Sequence, residues 1–355
     1  MDTIVERAKQ GKFTLIAEIG VNYYDIAKKM NITSMEAAKL MIDEAKKAGI
    51  HAVKFQTYKA ETLAAKESPY YWDITEEPTK SQYELFKKFD LFGYKEYKEL
   101  SEYCKERGIE FLSTAFDVES ADYLNELMNI YKISSSDLSN LPFIEHQAKK
   151  NKPILLSVGA SNEDEIDLAI QTIRKVNQQP IILLHCVLEY PTPYEHANLN
   201  KIISLKEKYK DVFIGYSDHT KPDECYDVIK TAYNLGAVVV EKHYTLDKTL
   251  KGNDHYHAMN PEDAKKIIEG IAFVDKIRGS YELKCLETEK KARMNARRSI
   301  VSLGKIEKGT TIQANMVTSK RPGTGISPTE INSVIGKTAK IDIEDDTILN
   351  YEMFE

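Results

Sequence analysis

The sequence contains few cysteines, and none of them forms a CxxC pair. The four lie far apart in a chain of 355 residues, at Cys104, Cys186, Cys225 and Cys285. This distribution argues against a disulfide framework and against a zinc knuckle. It is typical of a protein in a reducing compartment, so we expect a cytoplasmic location.

The sequence also lacks a long apolar run and an excess of positive charge. Its amino terminus, MDTIVERAKQGK, is charged where a signal peptide would be apolar, and no window approaches the length of a membrane span. The formal net charge is -6, with acidic and basic residues interleaved. We therefore expect a soluble protein that binds neither membranes nor nucleic acid.

Short β-branched segments alternate with amphipathic helical segments from near residue 14 to about residue 278, as in the βα units of a parallel sheet. The strand candidates are TLIAEIG, AVKFQTY, EFLSTAF, IYKISSSD, PILLSVG, PIILLHCV, VFIGYSD and VVVEKHYT. Eight such units predict an α/β fold, a (β/α)₈ TIM barrel with its catalytic groups at the carboxyl ends of the strands. A doubly wound open sheet is the alternative, but its usual Gly-rich phosphate motif is missing after the first strand.

The pattern changes after the last barrel helix. We predict a barrel domain over residues 1–280, a charged linker over 281–294 and a small β-rich domain over 295–355, where short strand-like runs are broken by Gly, Pro and Asn. Within the barrel, an aromatic insertion at about residues 59–93 follows the second strand. An insertion of this length is typical of a lid or binding element, although an oligomer contact or a cover for the barrel flank would explain it equally well.

Every predicted strand ends in polar side chains, which a barrel serving only as a scaffold would not require. Lys54 and Lys132 are embedded in apolar strands, where lysine is rare unless an anion or a carboxylate lies nearby. Four hydroxyls could complete a cradle for a phosphorylated, carboxylated small molecule, those of Thr114, Ser135, Ser157 and Ser217. Salt bridges to Glu18 and Glu241 are one alternative, and a Schiff base on a buried lysine is another.

Two histidines, His219 and His243, follow consecutive predicted strands. Two neutral imidazoles side by side suit a transition metal such as Mn, Co, Zn or Fe(II), while core histidines without a metal are the alternative. Asp254, His255 and His257 lie in the polar loop KGNDHYHAMNP. These loop histidines could add ligands, but we expect them to be exposed, and exposed loop histidines usually bind nothing.

Two carboxylates and a tyrosine complete the candidate site. Glu18 and Asp137 are placed for proton transfer or for binding sugar hydroxyls, and they could also simply neutralise the lysines. Tyr190 lies in the proline turn YPTPY near the expected mouth of the barrel, where a structural role and a ligand contact are equally consistent with the sequence.

The order of these motifs resembles that of the sialic acid synthases, which condense phosphoenolpyruvate with an N-acylated mannosamine-type sugar. The resemblance covers about residues 14 to 355 and rests on AEIGVN, AVKFQTYK, FLSTAFD, YKISSSDLSNLPFI, PILLSVGAS, LLHCVLEYPTPY, GYSDHT, VVEKHYTLDK, GNDH, RRSIV and KRPGTGI. It implies that the terminal β-rich segment is an antifreeze-like (SAF) domain. It also implies a domain-swapped homodimer, in which Arg321 reaches the partner's barrel and contacts the sugar.

The resemblance further implies a role for each candidate residue. His219 and His243 would bind a divalent metal, Mn or Mg, with Co as an alternative. The phosphate of phosphoenolpyruvate would be held by Lys132, Thr114, Ser135, Ser157 and Ser217, and its carboxylate approached by Lys54 and Gln56. The sugar side of the pocket would comprise Glu18, Asp137 and Tyr190, with Asp254 close to the reacting centre.

The identity of the sugar is the least constrained part of this interpretation. The sequence has Asn22-Tyr23-Tyr24-Asp25 where the family often has Asn-His-x-Gly, Leu188 where many members have Asn or Ser, and Asp137 where Glu is common. N-acetylmannosamine, which would give N-acetylneuraminate, is the first expectation. A 2,4-diacetamido-trideoxyhexose, the precursor type of legionaminic or pseudaminic acid, ranks next, and a 6-phosphorylated sugar ranks last because no further basic cluster is evident.

Two other functions remain open from the sequence. A Schiff-base pyruvate aldolase on the same barrel would use Lys54 or Lys132. A sugar-acid-binding protein without turnover would keep the fold, but the polar groups at all eight strand ends argue against it.

Overall fold

The computed structural model describes residues 2–252 and 254–355. They form two compact units, of which the first ends at Arg278 and the second spans Gly279–Glu355. Within these described ranges, no helix combines the length and the apolar character that crossing a bilayer would require.

The first unit is a closed barrel of eight parallel strands, in which each strand pairs with the next and the last pairs with the first. The strands are β1 (Thr14–Gly20), β2 (Ala52–Thr57), β3 (Glu110–Ala115), β4 (Tyr131–Ile133), β5 (Ile154–Ser157), β6 (Ile181–Cys186), β7 (Phe213–Asp218) and β8 (Val239–His243). Each lies within one of the eight predicted segments. The TIM barrel is therefore confirmed, and the open sheet is wrong because β8 pairs with β1.

Helices connect the strands and begin and end at residues suited to those positions. They are α1 (Ile4–Lys9), α2 (Tyr23–Met30), α3 (Ser34–Lys47), α4 (Ala60–Leu63), α5 (Gln82–Lys88), α6 (Tyr94–Arg107), α7 (Val118–Leu124), α8 (Leu141–Ala148), α9 (Glu163–Arg174), α10 (Lys201–Lys208), α11 (Asp227–Leu235) and α12 (Pro261–Arg278). At the start of α3, the Thr33 hydroxyl accepts from the Glu36 amide at 3.2 Å, and the Glu36 carboxylate accepts from the Thr33 amide at 2.8 Å. This capping box supplies partners for amides that the first turn leaves unpaired.

The apolar residues of the barrel form two separate cores. One lies between the strands and the helices, and the other fills the barrel interior with side chains such as Ile16, Leu112 and Ile182, with Ile4 and Ala8 of α1 packed against them. The interior is tight at Gly215 of β7, where a Cβ atom would lie 2.3 Å from the Leu184 side chain and 2.5 Å from the carbonyl oxygen of Val239. Only glycine fits this position without displacing a neighbouring strand.

The second unit is small and rich in short strands, as predicted. It contains α13 (Lys290–Ala296), followed by β9 (Ser299–Ser302) and β10 (Val317–Lys320), which pair antiparallel. Apolar side chains from the whole segment form its own core, including Ile300, Ile312, Val334 and Leu349.

Candidate active site

A cavity of about 380 Å³ lies at the carboxyl ends of the barrel strands, a volume within the range of small-molecule sites. The parallel register brings its charged groups together. Glu18 on β1 lies opposite both Lys54 on β2 and His243 on β8, and Ser217 on β7 lies opposite Glu241 on β8. Residues more than 200 positions apart in the sequence are therefore neighbours in the barrel.

The structure brings the predicted site residues of the barrel into this one cavity. Its lining includes Glu18, Lys54, Gln56, Thr114, Lys132, Ser135, Asp137, Ser157, Tyr190, Ser217, His219, His243 and Asp254. Arg321 lies in the second unit, where its side chain is exposed, and its proposed contact with a partner's barrel stays a prediction. Asn253 of the GNDH motif lies outside the described residues.

A buried network of ion pairs occupies the floor of the cavity. The Lys54 ammonium pairs with a Glu18 carboxylate oxygen, donates to the Thr114 hydroxyl at 2.9 Å and lies 3.8 Å from a Glu241 oxygen. The other Glu18 oxygen accepts from the Gln56 amide at 2.9 Å. Because the Lys54 and Glu18 side chains are each only 3% exposed, the pair is shielded from water and its Coulomb energy is large.

The two carboxylates of this network have pKa values shifted in opposite directions. Burial raises the pKa of Glu18 to about 7, against the opposing effect of Lys54, and the Glu241 charge adds to the rise. Burial would also raise the pKa of Glu241, but Lys132 and Lys54 outweigh it and hold that pKa below its ordinary value. Of these two carboxylates, Glu18 is therefore the one suited to exchanging a proton near neutral pH, while the lowered pKa favours the ionised form of Glu241.

Lys132 and three serines form a second polar group in the same cavity. The Lys132 ammonium donates to the Ile133 carbonyl at 3.1 Å and lies 3.9 Å from a Glu241 oxygen. Ser135 accepts from the Gly159 amide at 2.8 Å, and Ser217 donates to Glu241 at 3.2 Å. Burial lowers the pKa of Lys132.

Ser157 is the unsatisfied member of that group. Its hydroxyl is buried and has no hydrogen-bond partner among the described residues. An unpaired buried hydroxyl destabilises the fold, and the Ser157 hydroxyl is therefore available to a ligand oxygen in the cavity.

His219 and His243 lie at the same mouth, with ring centroids 5.4 Å apart. The Nδ1 atom of His219 lies 2.7 Å from the Val187 carbonyl oxygen, which fixes the ring orientation and leaves Nε2 for another partner. The Tyr190 ring packs beside them, with its centroid 4.1 Å from that of His219 and 6.0 Å from that of His243.

The prediction that the histidines of the β8 loop are exposed is wrong. His255 and His257 are 1% and 0% exposed, because the loop folds back into the barrel mouth. Its end is held by the Met259 amide, which donates to the His243 carbonyl at 2.8 Å, and its middle by the Tyr256 hydroxyl, which donates to the Tyr190 carbonyl at 2.9 Å.

This fold-back creates a donor set that fits a divalent metal. His243, Asp254 and His257 each offer one ligand atom, and these atoms all lie within 4.8 Å of one another. Burial lowers the pKa of both histidines well below the ordinary value, so both are neutral near pH 7, which is the form that binds metals. Two imidazoles and a carboxylate are suitable ligands for a borderline transition metal.

The sequence interpretation assigned no active-site role to several residues that line the cavity. Glu241 was considered only as a neutralising partner of the lysines, yet it lies two positions before His243 in a strand, so both side chains face the same side. Cys186 lines the cavity with its sulfur 3.9 Å from Nδ1 of His219, and Asp25 lines it from α2. The two-residue repeat of a β-strand could have identified Glu241 as a site residue. The position of α2 over the barrel, which brings Asp25 to the cavity, could not be predicted from the sequence.

The insertion at residues 59–93 borders the cavity. It contains α4 and α5, and Trp72 anchors it from within by donating to the Glu77 and Thr79 carbonyls at 3.0 and 3.1 Å. It contributes six side chains to the lining, which are apolar or aromatic apart from Gln82, namely Leu63, Tyr71, Gln82, Leu85, Phe86 and Phe89. With Leu188 in the lining as well, one wall of the cavity suits an apolar part of a ligand.

The chain matches known proteins over both units. The model of the NeuB family matches residues 41–282, and that of the SAF domain matches residues 297–355. The chain is 37% identical to the N,N'-diacetyllegionaminic acid synthase of Campylobacter jejuni subsp. jejuni over 95% of this chain and 99% of that protein. It is 32% identical to the N-acetylneuraminate-9-phosphate synthase of Mus musculus over 96% of this chain and 92% of that protein.

A solved structure agrees with these matches. The N-acetylneuraminic acid synthetase of Leptospira borgpetersenii serovar Hardjo-bovis, solved in complex with citrate, superposes with a TM-score of 0.68 at 34% sequence identity. The match covers 79% of this chain and 90% of that one. The resemblance to the sialic acid synthases is thereby confirmed.

Proposed function

Since this chain belongs to the NeuB family, we propose that it condenses phosphoenolpyruvate with an open-chain acylamino sugar and water, giving a nonulosonic acid and inorganic phosphate. The observation that carries the proposal is the buried set of two lysines and two carboxylates beside two strand-end histidines, all lining one cavity. Such a set provides separate positions for an anion, for a proton and for an electrophile.

Phosphoenolpyruvate would be held by the lysines and the hydroxyls. Lys132 would bind its phosphate together with Ser135 and the unpaired Ser157 hydroxyl, and Lys54 would bind its carboxylate. The two anionic groups of this substrate repel each other, so a cation for each one favours the bound geometry. Since the lysines lie 3.8 and 3.9 Å from the same Glu241 oxygen, that carboxylate would keep both ammonium groups in place.

The reaction would join C3 of phosphoenolpyruvate to C1 of the sugar aldehyde. That step forms a carbon–carbon bond, and the aldehyde oxygen takes up a proton. Water then adds to C2 and loses a proton, which leaves a hydroxyl on C2. That hydroxyl gives its proton to the departing phosphate as the C2=O bond forms and the bond between C2 and the phosphate oxygen breaks. Phosphate leaves with the bonding electron pair, so the product is a 2-keto acid.

Glu18 would carry protons in this sequence. With a pKa raised to about 7 by burial, it is present as both acid and carboxylate near neutral pH, which is the condition for efficient proton transfer. A divalent metal held at His219 and His243, Mn or Mg by the family resemblance, would supply electrophilic polarisation of the aldehyde. Tyr190 would pack against the sugar and keep it at the histidine side of the cavity.

The acceptor that we propose is a 2,4-diacetamido-trideoxyhexose, in place of the N-acetylmannosamine that the sequence alone ranks first. The relative named for a diacetylated product is 37% identical to this chain, whereas the relative named for a 9-phosphate product is 32% identical. The apolar wall formed by Leu188 and the insertion suits the methyl groups of a deoxygenated, diacetylated sugar. Lys54 and Lys132 are the only lysine or arginine residues in the described lining, so no additional cation is present for a sugar phosphate.

The test measures phosphate released from phosphoenolpyruvate with a panel of acceptors. We expect the 2,4-diacetamido-trideoxyhexose to have the highest kcat/KM, N-acetylmannosamine a lower one, and mannosamine 6-phosphate derivatives none. Removal of metal with EDTA should abolish release, and added Mn²⁺ should restore it. No release with any acceptor would contradict the proposal. Trapping of a covalent pyruvate adduct with borohydride would instead identify a Schiff-base aldolase, which the lowered pKa of Lys132 permits.

A further inference from the structure

His257 is a buried histidine with unused hydrogen-bonding capacity. Its side chain is 0% exposed, and neither ring nitrogen has a hydrogen-bond partner in the part of the chain that the structure describes. Buried polar groups are nearly always paired, because an unpaired one loses its bonds to water and gains none in return. A buried ring with both nitrogens unpaired therefore points to a bound ligand that pairs with at least one of them.

The neighbouring His255 shows what a structural histidine looks like in the same loop. It is equally buried, but its Nδ1 lies 2.8 Å from the Thr245 hydroxyl and its Nε2 lies 3.3 Å from the Asp25 carboxylate. Both of its nitrogens thus have partners, and it lies outside the convergent donor set. The contrast between these two buried histidines of one loop distinguishes a structural role for His255 from a ligand role for His257.

The surroundings of His257 point to a cation. Its ring centroid lies 4.9 Å from that of His243, and His243, Asp254 and His257 place three ligand atoms within 4.8 Å of one another. His243 also has an Nδ1 atom without a hydrogen-bond partner among the described residues. Two imidazoles and one carboxylate that converge where the protein is buried are a donor set suited to a three-ligand metal site.

We propose that His257 is a further metal ligand of the proposed synthase and that it joins His243 and Asp254 in holding the cation, next to His219, whose ring centroid lies 5.4 Å from that of His243. The role of the cation in catalysis rests on the proposed function, whereas the assignment of the ligands rests on the geometry alone. The proposed set has two nitrogen donors, as does the His219 and His243 pair predicted from the sequence, and it adds a carboxylate oxygen. Mg²⁺ prefers oxygen ligands, whereas imidazole favours Zn²⁺, Co²⁺ and Fe²⁺.

The experiment measures metal binding to the full-length protein in the absence of substrates. Chelator-treated protein is titrated with Zn²⁺, Co²⁺ and Mg²⁺ by calorimetry, using a competing chelator for tight binding. The parent protein should bind one Zn²⁺ or Co²⁺ at least about 100-fold more tightly than Mg²⁺. Equal affinity for Mg²⁺ would overturn the proposal, and this result does not depend on any variant.

The matched variants are His257→Gln and His255→Gln, which each remove one buried imidazole at positions two residues apart in the same loop. Circular dichroism and a thermal melt of the metal-free proteins establish that both are folded. His257→Gln should lose at least about tenfold in Zn²⁺ affinity, whereas His255→Gln should lose less than about threefold. Equal losses in the two variants, or no loss in His257→Gln, would overturn the assignment.

A third variant provides an independent test in case His257→Gln does not fold. His257→Asp replaces a nitrogen ligand by an oxygen ligand, so the preference for Zn²⁺ over Mg²⁺ should shrink by at least about tenfold. An unchanged preference would count against a ligand role. Each of these experiments measures metal affinity and not activity. The ligand assignment can therefore fail while phosphate release persists. The proposed function can fail while His257→Gln still loses Zn²⁺ affinity and His255→Gln keeps it.

Discussion

Glu18 is the residue whose surroundings constrain the chemistry of the cavity most. It pairs with Lys54, accepts from Gln56 and is opposed by the Glu241 charge, and its burial raises the pKa to about 7. A carboxyl group in ordinary exposure would be fully ionised at that pH. The barrel register and the burial together therefore produce a group suited to proton exchange.

We expect Glu18→Gln to lower kcat by at least about 100-fold, the size of effect typical of a lost general acid or base, while KM for phosphoenolpyruvate stays the same or falls. The glutamine keeps the shape but cannot act as an acid or a base near neutral pH, and it leaves the Lys54 ammonium available to an anionic substrate. In the parent protein, kcat/KM should change slope near pH 7, as Glu18 converts from acid below that pH to carboxylate above it. Steady-state phosphate release between pH 5.5 and 8.5 checks this.

Glu110→Gln is the matched control for that measurement. Burial raises the pKa of Glu110 to about 6, but this side chain accepts from the Ile4 amide at 2.8 Å at the amino-terminal end of the barrel. It does not line the cavity, so its replacement should leave the slope change near pH 7 in place. If the slope change disappeared in Glu110→Gln and persisted in Glu18→Gln, the assignment of the titrating proton to Glu18 would be wrong.

Residue by residue, the sequence predicted the strand-end part of the site and missed the loop part. Lys54, Lys132 and His243 could be found because a parallel barrel brings the ends of its strands together. The burial of His257 could not be found, because it depends on the loop folding back over the mouth through contacts between distant backbone atoms. The polar composition of the loop predicts that its side chains are exposed. Only the packing of the folded loop shows that His257 is buried.

At the scale of elements, the insertion between β2 and α6 contributes one wall of the cavity. Trp72 holds it together through its two carbonyl contacts, and it reaches the β8 loop, where the Gly252 amide donates to the Glu76 carbonyl at 3.2 Å. The insertion therefore contacts both the cavity and the loop that carries Asp254. Composition predicted an aromatic insertion, but its docking position depends on these nonlocal bonds and could not be predicted.

Adjacent tyrosines in the insertion provide a test of its role. Both rings pack on Trp72, with centroid distances of 6.3 Å for Tyr70 and 5.5 Å for Tyr71. Tyr71 also lines the cavity, with its ring centroid 6.4 Å from that of Tyr190, whereas Tyr70 is absent from the described lining. We expect Tyr71→Ala to raise KM for the sugar about 2- to 10-fold, the range for one lost aromatic contact. Tyr70→Ala should change KM by less than about twofold. Equal effects in kinetic assays of both variants would mean that the insertion acts only through its stability.

At the scale of the whole molecule, the chain consists of a barrel that contains the candidate chemistry and a separate small unit with its own core. The fold of both units could be predicted from periodicity and turn residues. The predicted contact of Arg321 with the partner's barrel could not be derived from periodicity. This contact and the homodimer remain predictions from the family resemblance. It concerns an assembly, so it needs a test with more than one chain.

Complementation between inactive chains tests that assembly. Arg321→Ala affects the second unit and His219→Ala affects the barrel, so a mixed dimer would retain one complete site if the arginine acts on the partner's barrel. Co-expressed in equal amounts, the two variants should show about a quarter of the parent activity, because half of the dimers are mixed and each has one of two sites intact. Phosphate release by the purified mixture measures this.

The control pair is His219→Ala with Lys132→Ala. Both changes lie in the barrel, so no mixed dimer has an intact site and activity should stay at the level of the single variants. Failure of the first pair to exceed this level, or a solution mass equal to the 40.5 kDa of one chain, would contradict a site shared between chains.

The mutual neutralisation of Glu18 and Glu241 by Lys54 and Lys132 has a thermodynamic consequence for substrate entry. A polyanion that takes over the two ammonium groups leaves the buried carboxylates without their counter-charges, and the weaker acid of the two then captures H⁺ from the medium. Loading of the cavity with such a polyanion would thereby be coupled to proton uptake. Mild acidification would strengthen occupancy and alkalinisation would weaken it, so the saturation of this protein would follow the acid–base state of its surroundings even at a constant supply of phosphoenolpyruvate.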